Sequence, residues 1–506
     1  MRIRFFYLLL LSACNLRTTY ERPPVDISRN WRFEQQPFEA YANVAWWEQF
    51  QDPILNDLIS IALQNNQNLQ VAIARVLQYY DQYRVVAGNL YPQISAEGSI
   101  DRLKLSEDVA YQPLTPAIPP TPLLPGFPGS PATPRFNWLY QLYLKFSYEI
   151  DFWGKVRNQT AAAWADYQAQ VDAERNVVVA LVSNVASSYI RLKQLDNQLL
   201  ISKLTLESRN NSWDIANKRF DAGLISQLDV KQAESDAEAA AVQVTNYERL
   251  IPQQEDLISV LLGRPSGPIP RGVLLSDMKL PPAIPAGLPS DLLENRPDIL
   301  QAEQNMISAN AQIGVARAAF FPAFNLTGFG GKKSTSTDNF FNQSASIWDY
   351  NLDALQPLFR GGALIYQLKE DEAILREAIH NYQQTILTAL QEVNDALIGH
   401  QKAQEKLEIQ TRQVAALQEY LKLASLRYFN GQNDYLTVLN AENTLFQAQL
   451  EEANTEADVF TTLVDLYKAL GQGWQVGSGY CIPCSEDMNT CNLETVHKPE
   501  DMNPCN

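Results

Sequence analysis

Histidine and cysteine are both rare in this sequence. Among its 506 residues there are three histidines, His380, His400 and His497, and five cysteines. None of the histidines lies near a nucleophile elbow or a phosphate-binding loop, so we interpret them as surface residues. The sequence offers no catalytic constellation, and we predict that the protein is not an enzyme and has no cofactor and no metal site.

Basic residues are in deficit as well. Lysine and arginine number 40 against 57 aspartates and glutamates, a net charge of −17. A nucleic-acid partner would require a basic face, so we expect none. An acidic lumen and an acidic surface kept in solution by its charge both fit this composition. Long apolar runs are also missing, because after the first fourteen residues the sequence contains no candidate transmembrane helix.

The first fourteen residues have the features of a processing signal. Arg2 and Arg4 precede the apolar run Phe5 to Leu11, which is too short to span a bilayer. The run ends in Leu11-Ser12-Ala13-Cys14, which resembles a lipobox, and Asn15 resembles an outer-membrane sorting signal. These residues predict a signal peptide over 1–13 and a covalent lipid on Cys14, with membrane affinity of about 0.8 kcal/mol per buried methylene.

The four remaining cysteines all lie in the last 26 residues. In an oxidising periplasm two disulfides are the default, with three possible connectivities. A zinc site is the alternative, because the first two cysteines are separated by two residues, as zinc ligands often are. The second two are separated by thirteen residues, which favours disulfides. The residues concerned are Cys481, Cys484, Cys491 and Cys505.

The sequence contains an internal repeat. Residues 68–72 resemble 298–302, an offset of 230, whereas residues 223–263 resemble 431–471, an offset of 208. The first copy therefore holds 22 additional residues. Residues 113–134 contain nine prolines and have no counterpart in the second copy. Because proline neither continues a helix nor donates to a sheet, this segment is predicted to be an exposed loop between two strands.

Alternation of apolar and polar residues is the clearest strand signal in the chain. From Trp138 to Phe152 every even position is apolar, and Trp348 to Ala354 repeats the pattern. Such strands, with aromatic residues on one face and ionised residues on the other, are typical of a barrel that faces lipid outside and water inside. Half-buried strands of a soluble protein alternate too, but they average only about 5 to 6 residues.

Long helices make up the rest of the chain. Residues 158–221 contain no proline or glycine. The segment that follows Gly362 and runs to Asn430 contains no proline, and Gly399 is its one glycine. At roughly 1.5 Å per residue each helix is on the order of 90 Å long, so it must pack side by side with others as in a coiled coil. Four strands are too few to close a barrel, whereas three chains would supply twelve and leave no free edge.

These patterns divide the chain into a series of segments. The fold class predicted is mainly helical with some β structure: a long coiled-coil helical barrel with four transmembrane strands per protomer. The predicted segments are a signal peptide (1–13), an extended segment (14–52), a helix (53–90), two strands (91–152), two long helices (153–263), a linker (264–287), a helix (288–319), two strands (320–358), two long helices (359–471) and a cysteine-containing tail (472–506).

Several short motifs together resemble the outer-membrane factor family (TolC-type), in the lipoprotein branch that serves RND efflux pumps. The resemblance covers about residues 14 to 475, and the tail lies outside it. The motifs are the lipobox, Trp46-Trp47-x-x-Phe50-x-Asp52-Pro53-x-Leu55, Ala62-Leu63-x-x-Asn66, Arg296-Pro297-Asp298-Ile299, Gly314-x-Ala316-Arg317-x-x-x-Phe321-Pro322, Phe359-Arg360-Gly361-Gly362 and Tyr467-Lys468-Ala469-Leu470-Gly471-x-Gly473-Trp474.

The resemblance implies a function and a set of partners. It implies a lipid-anchored homotrimer in the outer membrane that extends into the periplasm, with a twelve-stranded barrel and a twelve-helix barrel. It also implies a periplasmic adaptor protein, an inner-membrane RND-type transporter and passive export of small molecules such as drugs. A duct for type I protein secretion or for metal efflux is the alternative within the family. A lipid-anchored periplasmic coiled-coil scaffold is the alternative of another class.

The resemblance also implies functional residues at the helical hairpins. Gly223, Leu224, Gly431 and Asn433 correspond to tips that dock the adaptor, although a basic residue is common where Asn433 stands. Just above the tips, Tyr428 is expected to donate a hydrogen bond to Asp229 and so to hold a periplasmic gate closed. Inward-facing rings are expected from Leu436, an apolar plug, and from Asn440, where the family commonly has aspartate.

Overall fold

A computed structural model describes residues 16, 19–25, 31, 45–104, 136–280, 289 and 292–474. By residue contacts the chain forms two compact units, which are treated separately below. Unit 1 comprises residues 1–21, 79–166 and 306–377, and unit 2 comprises 22–78, 167–305 and 378–506. Several predictions lie outside the described residues: the signal peptide, Cys14, the proline-rich loop 113–134, and the tail cysteines Cys481, Cys484, Cys491 and Cys505.

The fold is mainly helical, as predicted, and none of the helices in the described part of the chain combines the length and apolar character needed to cross a membrane. The helices and strands, in chain order, are α1 (Pro53–Asn65), α2 (Gln67–Gly88), β1 (Gln93–Lys104), β2 (Phe136–Ile150), α3 (Lys155–Asp221), α4 (Gln227–Leu261), α5 (Leu292–Asn295), α6 (Pro297–Ala318), β3 (Ala323–Ser334), β4 (Ser346–Leu355), α7 (Ala363–Phe429) and α8 (Tyr435–Ala469).

The two halves of the chain contain matching elements of equal length. Helices α3 and α7 have 67 residues each, and α4 and α8 have 35 each. Helices α2 and α6 have 22 residues each, and β1 and β3 have 12 each. These four pairs therefore follow the repeat that is visible in the sequence. The other two pairs differ, because β2 has 15 residues and β4 has 10, and α1 has 13 and α5 has 4.

The helix predicted over residues 53–90 is two helices, so that prediction was wrong. Asn66 adopts an extended backbone and separates α1 from α2. Its side-chain oxygen accepts a hydrogen bond from the backbone of Leu69 at 3.0 Å and so caps α2. Its Nδ2 donates to the backbone oxygen of Leu261 at 2.8 Å, which fixes the break against helix α4.

Unit 1 contains a four-stranded antiparallel sheet in the order β1-β2-β3-β4. The register pairs even-numbered residues with even-numbered residues across all three strand pairs. The apolar even positions therefore share one face, and their large side chains are exposed: Ile94 by 76%, Leu144 by 63% and Trp348 by 70%. A half-buried sheet of a soluble protein would cover this face with its own core, whereas here the face is left uncovered by the described residues.

The odd-numbered face of the sheet is largely polar. Lys145 forms an ion pair with Glu97 on the neighbouring strand. The Gln141 Nε2 donates to Ser99 Oγ at 3.2 Å and to Asp101 Oδ2 at 2.9 Å. Cross-strand polar contacts of this kind suit a face that meets water.

Unit 2 holds the main hydrophobic core. Trp46 and Phe50 form a 3-10 turn ahead of α1 and are fully buried. The Trp46 ring stacks on that of Tyr467, with centroids 5.0 Å apart, and Phe50 meets Phe460 edge-on at 5.8 Å. These contacts join the 3-10 turn to helix α8.

Candidate functional site

The first helical hairpin joins α3 to α4 at Gly223. The backbone of Leu224 donates to the Arg219 oxygen at 2.9 Å, and that of Gly223 donates to the Phe220 oxygen at 2.8 Å. This pair of bonds is the Schellman motif, which requires a left-handed residue after the helix. Gly223 supplies it with φ of +72°, as its position in the sequence predicted.

The second hairpin joins α7 to α8 and repeats this geometry at Gly431. The backbone of Gln432 donates to the Arg427 oxygen at 2.8 Å, and that of Gly431 donates to the Tyr428 oxygen at 3.0 Å. Gly431 has φ of +71°. A methyl group added at either glycine would meet no atom within 4 Å, so the backbone conformation alone restricts these positions.

Replacing Gly431 by alanine is expected to destabilise its hairpin by about 1–2 kcal/mol, the cost of a left-handed backbone in an ordinary residue. Hydrogen exchange of the amides in residues 425–437 measures this local opening. Gly399 is the control, because it lies inside α7 without a left-handed backbone, and a methyl group there would only touch Thr462 at 4.0 Å. Gly399→Ala should slow exchange or leave it unchanged. Equal protection at residues 425–437 in Gly431→Ala and the wild type would contradict the argument.

The tip residues that the resemblance indicated lie on these two turns. Leu224 is exposed by 68% and stands directly after Gly223. Asn433 is half-buried and precedes Asp434, whose side chain caps α8 through the backbone of Thr437 at 3.1 Å. Two rigidly capped turns therefore present a small exposed surface that contains one large apolar side chain.

The hydrogen bond expected between Tyr428 and Asp229 is not formed in this single chain. The Asp229 Oδ2 accepts from the backbone and the Oγ of Ser226, at 3.0 and 2.9 Å, in a capping box at the start of α4. Tyr428 packs against Tyr435, and the guanidinium of Arg219 lies 4.8 Å from its ring centroid. The carboxylate is thus engaged locally, which the Ser226-x-x-Asp229 spacing could have indicated.

The two expected ring residues share one face of α8. Leu436 and Asn440 are four residues apart and both are exposed, whereas Val438 and Ala441 on the opposite side are buried. A chain placed beside identical copies could therefore present Leu436 and Asn440 together.

A buried arginine joins the two hairpins and was missed by the sequence reasoning. Arg209 of α3 is 4% exposed. Its Nη1 donates to the backbone oxygen of Asp236 in α4 at 2.9 Å, and its Nη2 donates to Asn443 Oδ1 in α8 at 2.6 Å. Its guanidinium also lies 5.3 Å from the ring centroid of Phe446. We call this group the arginine joint.

Burial shapes the titration of the groups around the arginine joint. It raises the pKa of Asp236 and of Glu442, and Arg209 opposes the rise in both cases. Burial also raises the pKa of Tyr435 to about 12. One cation therefore serves two carboxyl groups, and one oxygen of each carboxyl has no hydrogen-bond partner. These charged groups depend on Arg209 for their stability in the folded state.

Neither of the described histidines indicates a reaction centre. His380 is exposed, and His400 is half-buried with its Nδ1 3.1 Å from the Val459 backbone oxygen, so the surface interpretation was wrong for His400. Its pKa is lowered by burial. Within the described ranges no group of three or more histidine, cysteine, aspartate or glutamate residues is arranged to hold a metal ion.

Comparison with known proteins agrees with this geometry. The profile of the family described as outer membrane efflux protein matches residues 58–264 and 288–472. The chain belongs to this family. This confirms the family that the motifs indicated, and its members are efflux proteins rather than enzymes.

Individual relatives align over nearly their whole length. The solvent efflux pump outer membrane protein SrpC of Pseudomonas putida is 34% identical over 93% of this chain and 98% of its own. The cation efflux system protein CusC of Escherichia coli is 32% identical over the same shares of the two chains. Among solved structures, the open state of the Neisseria gonorrhoeae outer membrane channel MtrE matches with a TM-score of 0.79 and 27% identity, over 91% of this chain and 99% of that one.

Proposed function

We propose that this protein is the outer-membrane exit duct of a tripartite efflux system that passively exports small molecules. The observation that carries the proposal is the exposed apolar face of the four-stranded sheet, with ion pairs on the opposite face. Lipid is the solvent that suits the first face and water suits the second. A periplasmic scaffold without a pore would have no use for such a sheet.

The edges of the sheet support assembly as a homotrimer. Among the described residues, strands β1 and β4 each have one neighbouring strand, so their outer edges are unpaired in that part of the chain. Pairing β1 of one copy with β4 of the next would satisfy both edges, and three copies would give twelve strands. The same arrangement would place the six long hairpins of three chains, twelve helices in all, around one axis.

The partners follow from this architecture. The exposed turns at Gly223 and Gly431 are the surface that we propose docks a periplasmic adaptor, which in turn meets an inner-membrane RND-type transporter. The substrate class stays open, because relatives named for solvent efflux and for cation efflux are 34% and 32% identical to this chain. Type I protein secretion remains the alternative duct.

A lipid on Cys14 is proposed as the anchor. Arg22 lies eight positions after Cys14, and the Arg22 Nε and Nη2 bind the Glu303 carboxylate of α6 at 2.8 and 2.7 Å. Because eight residues span at most about 29 Å, this bidentate ion pair would keep the acylated end on a short tether.

We also propose a gate near the tips of the two helical hairpins. Tyr428 and Asp229 would form their hydrogen bond only in the closed trimer, where Asp229 Oδ1 is still available beside the capping box. Three such bonds, each contributing about 0.5–1.5 kcal/mol, can bias a closed state without locking it. Leu436 and Asn440 would line the aperture.

Planar-bilayer conductance tests the duct and the gate together. The wild type should form channels of low conductance, and Tyr428→Phe and Asp229→Ala should each raise that conductance severalfold. Ser226→Ala is the matched control, because it removes the capping box of α4 and leaves the Asp229 carboxylate in place. If Ser226→Ala raises conductance as much as Asp229→Ala, helix capping and not the Tyr428 bond controls the aperture. If neither the wild type nor any variant conducts, and the protein forms no trimer in detergent, the proposal that the protein is a duct is wrong.

A further inference from the structure

A cavity lies in unit 2 between helices α3, α7 and α8, beside the arginine joint. Its volume is about 220 Å³, and its lining includes Arg209 of α3, Leu421 of α7 and Glu442 of α8. We call it the hairpin cavity, because it lies where the two helical hairpins meet. An apolar cavity of about 150 Å³ in another protein holds benzene, so the hairpin cavity can hold a molecule with one ring.

The walls of the hairpin cavity are rich in large apolar side chains. Leu204 is exposed by 58%, whereas Leu445 and Phe446 are buried, so the cavity leads from the surface of the chain into its interior. Such walls favour a ligand with an apolar body over a hydrated inorganic ion, which would have to lose water against them. The apolar lining residues are Ile201, Leu204, Leu421, Leu445 and Phe446.

Glu442 adds a carboxyl group to these walls. In the part of the chain that the structure describes, its Oε2 is enclosed without a hydrogen-bond partner, and the carboxylate forms no ion pair. Burial raises the pKa of this carboxyl group, as expected where water is withdrawn and no donor replaces it. The hairpin cavity therefore borders a carboxylate that lacks a donor.

Arg209 does not supply that donor. Its Nη1 and Nη2 are bonded to the Asp236 backbone oxygen and to Asn443 Oδ1, and its buried Nε has no hydrogen-bond partner. The charge of Arg209 opposes the rise in the pKa of Asp236 and of Glu442 but does not outweigh burial. From the other side, α7 contributes only Leu421 to the lining. With both carboxyl groups ionised, the group carries two negative charges and one positive charge, so it lacks one cation.

We propose that the hairpin cavity binds a small organic cation, an amine whose ammonium group pairs with Glu442 and whose apolar body contacts Leu421 and Phe446. The ammonium group supplies both the charge and the donors that the carboxylate lacks. A ligand in this position contacts α3, α7 and α8 together, so it would hold the two hairpins to each other. The lining comes from a single chain, and binding would therefore not require the proposed trimer.

Calorimetric titration of the purified full-length protein in detergent tests this site. The ligand is 2-phenylethylammonium at pH 8, and titration into protein-free detergent gives the baseline. The wild type should bind this cation at least about tenfold more tightly than the neutral analogue 2-phenylethanol, because only the cation makes a charge-assisted hydrogen bond to the carboxylate. The anionic analogue 3-phenylpropanoate should bind more weakly than either.

Three variants assign the binding to Glu442 and to the cavity. Glu442→Gln should weaken binding of the cation at least about tenfold. Glu451→Gln is the matched control, because Glu451 is an exposed residue of the same helix and does not line the cavity, and it should keep the wild-type affinity. Ser208→Phe should abolish binding with Glu442 intact, because Ser208 is an exposed residue of the lining and a ring there would occupy the cavity.

The affinity should also fall severalfold between pH 8 and pH 5. Protonation of Glu442 competes with the cation, and burial places this titration above the ordinary range of glutamate. The ligand stays charged, because the pKa of an alkylammonium group lies near that of lysine, about 10.4. Tyr435, whose pKa is raised to about 12, stays neutral at both pH values. In Glu442→Gln the affinity should be the same at pH 8 and pH 5.

Several results would overturn the site. Equal affinity for 2-phenylethylammonium and 2-phenylethanol would show an apolar cavity without charge selectivity. Tighter binding of 3-phenylpropanoate would mean that Arg209 and not Glu442 sets the charge of the ligand. Displacement of the ligand by sodium chloride in both the wild type and Glu451→Gln would show a site for inorganic cations. Because these titrations measure binding alone, each of these results would leave the proposed duct unaffected.

Discussion

Replacing Asp52 by asparagine is expected to destabilise unit 2 by about 3–5 kcal/mol, the usual cost of removing one member of a buried ion pair. Asp52 is fully buried, and its carboxylate pairs with Lys193, whose side chain is 4% exposed. The pair connects the residue that caps α1 to the middle of α3. Asp52→Asn is therefore expected to destabilise the centre of the hydrophobic core of unit 2.

The surroundings of Lys193 explain the size of this effect. Besides Asp52, its Nζ contacts the Met278 Sδ at 3.3 Å and lies 4.8 Å from the ring centroid of Tyr189, and neither group carries a charge. Burial already lowers the pKa of Lys193 against the opposing effect of Asp52. Without the carboxylate, the ammonium must either stay buried and unpaired or lose its proton.

A double-mutant cycle separates the charge from the other roles of Asp52. Asp52 Oδ1 also accepts from the backbone of Ile54 at 3.0 Å, and its Oδ2 accepts from the Tyr189 hydroxyl at 3.2 Å. Asparagine retains an oxygen that can cap α1, so Asp52→Asn keeps the cap and removes the charge together with the oxygen that accepts from Lys193 and Tyr189. Chemical unfolding of the purified protein should show that adding Lys193→Met recovers much of the stability. If Asp52→Asn alone lowers the free energy of unfolding by less than about 1 kcal/mol, the ion pair between Asp52 and Lys193 does not stabilise the core to the expected extent.

The periodic parts of the fold were predictable from the sequence. Four long helices, two strands per repeat and the equal lengths of the corresponding long helices follow from uninterrupted helical runs, alternation and two constant offsets. The break at Asn66 was not predictable, because an asparagine inside a helical pattern is ordinary. It ends α1 through a bond to Leu261, which lies 195 residues further on. Local sequence carries no trace of such a distant partner.

The candidate site also contains some features that the local sequence predicts and others that it does not. Both hairpins were located correctly because a glycine at a helix end has a local cause, the left-handed backbone. The Tyr428–Asp229 bond was transferred by resemblance and is not formed in this single chain, where the nearby Ser226 engages one oxygen of the carboxylate. Arg209 was missed because its partners lie 27 and 234 residues away, and one arginine in a long charged helix has no distinguishing pattern.

The arginine joint should control how firmly the two hairpins hold together. Replacing Arg209 by alanine leaves Asp236 and Glu442 half-buried without this cation and removes its own two hydrogen bonds, one to α4 and one to α8. The expected loss at pH 8 is about 3 kcal/mol, because a carboxylate without its partner keeps its desolvation cost. Arg249 of α4 is the control, since it is exposed and bonded only within its own helix. Arg249→Ala should change stability by less than about 0.5 kcal/mol.

Acidification should reduce the effect of Arg209→Ala. The folded state already holds the pKa values of Asp236 and Glu442 above their ordinary range, so it binds more protons than the unfolded state as pH falls. Losing Arg209 raises both values further, and stability lost at pH 8 returns as the carboxyl groups become neutral. Chemical unfolding at pH 8 and pH 5 should therefore give a smaller difference between variant and wild type at pH 5. If the difference in stability between Arg209→Ala and the wild type is the same at pH 8 and pH 5, the hydrogen bonds of Arg209, and not its charge, join the hairpins.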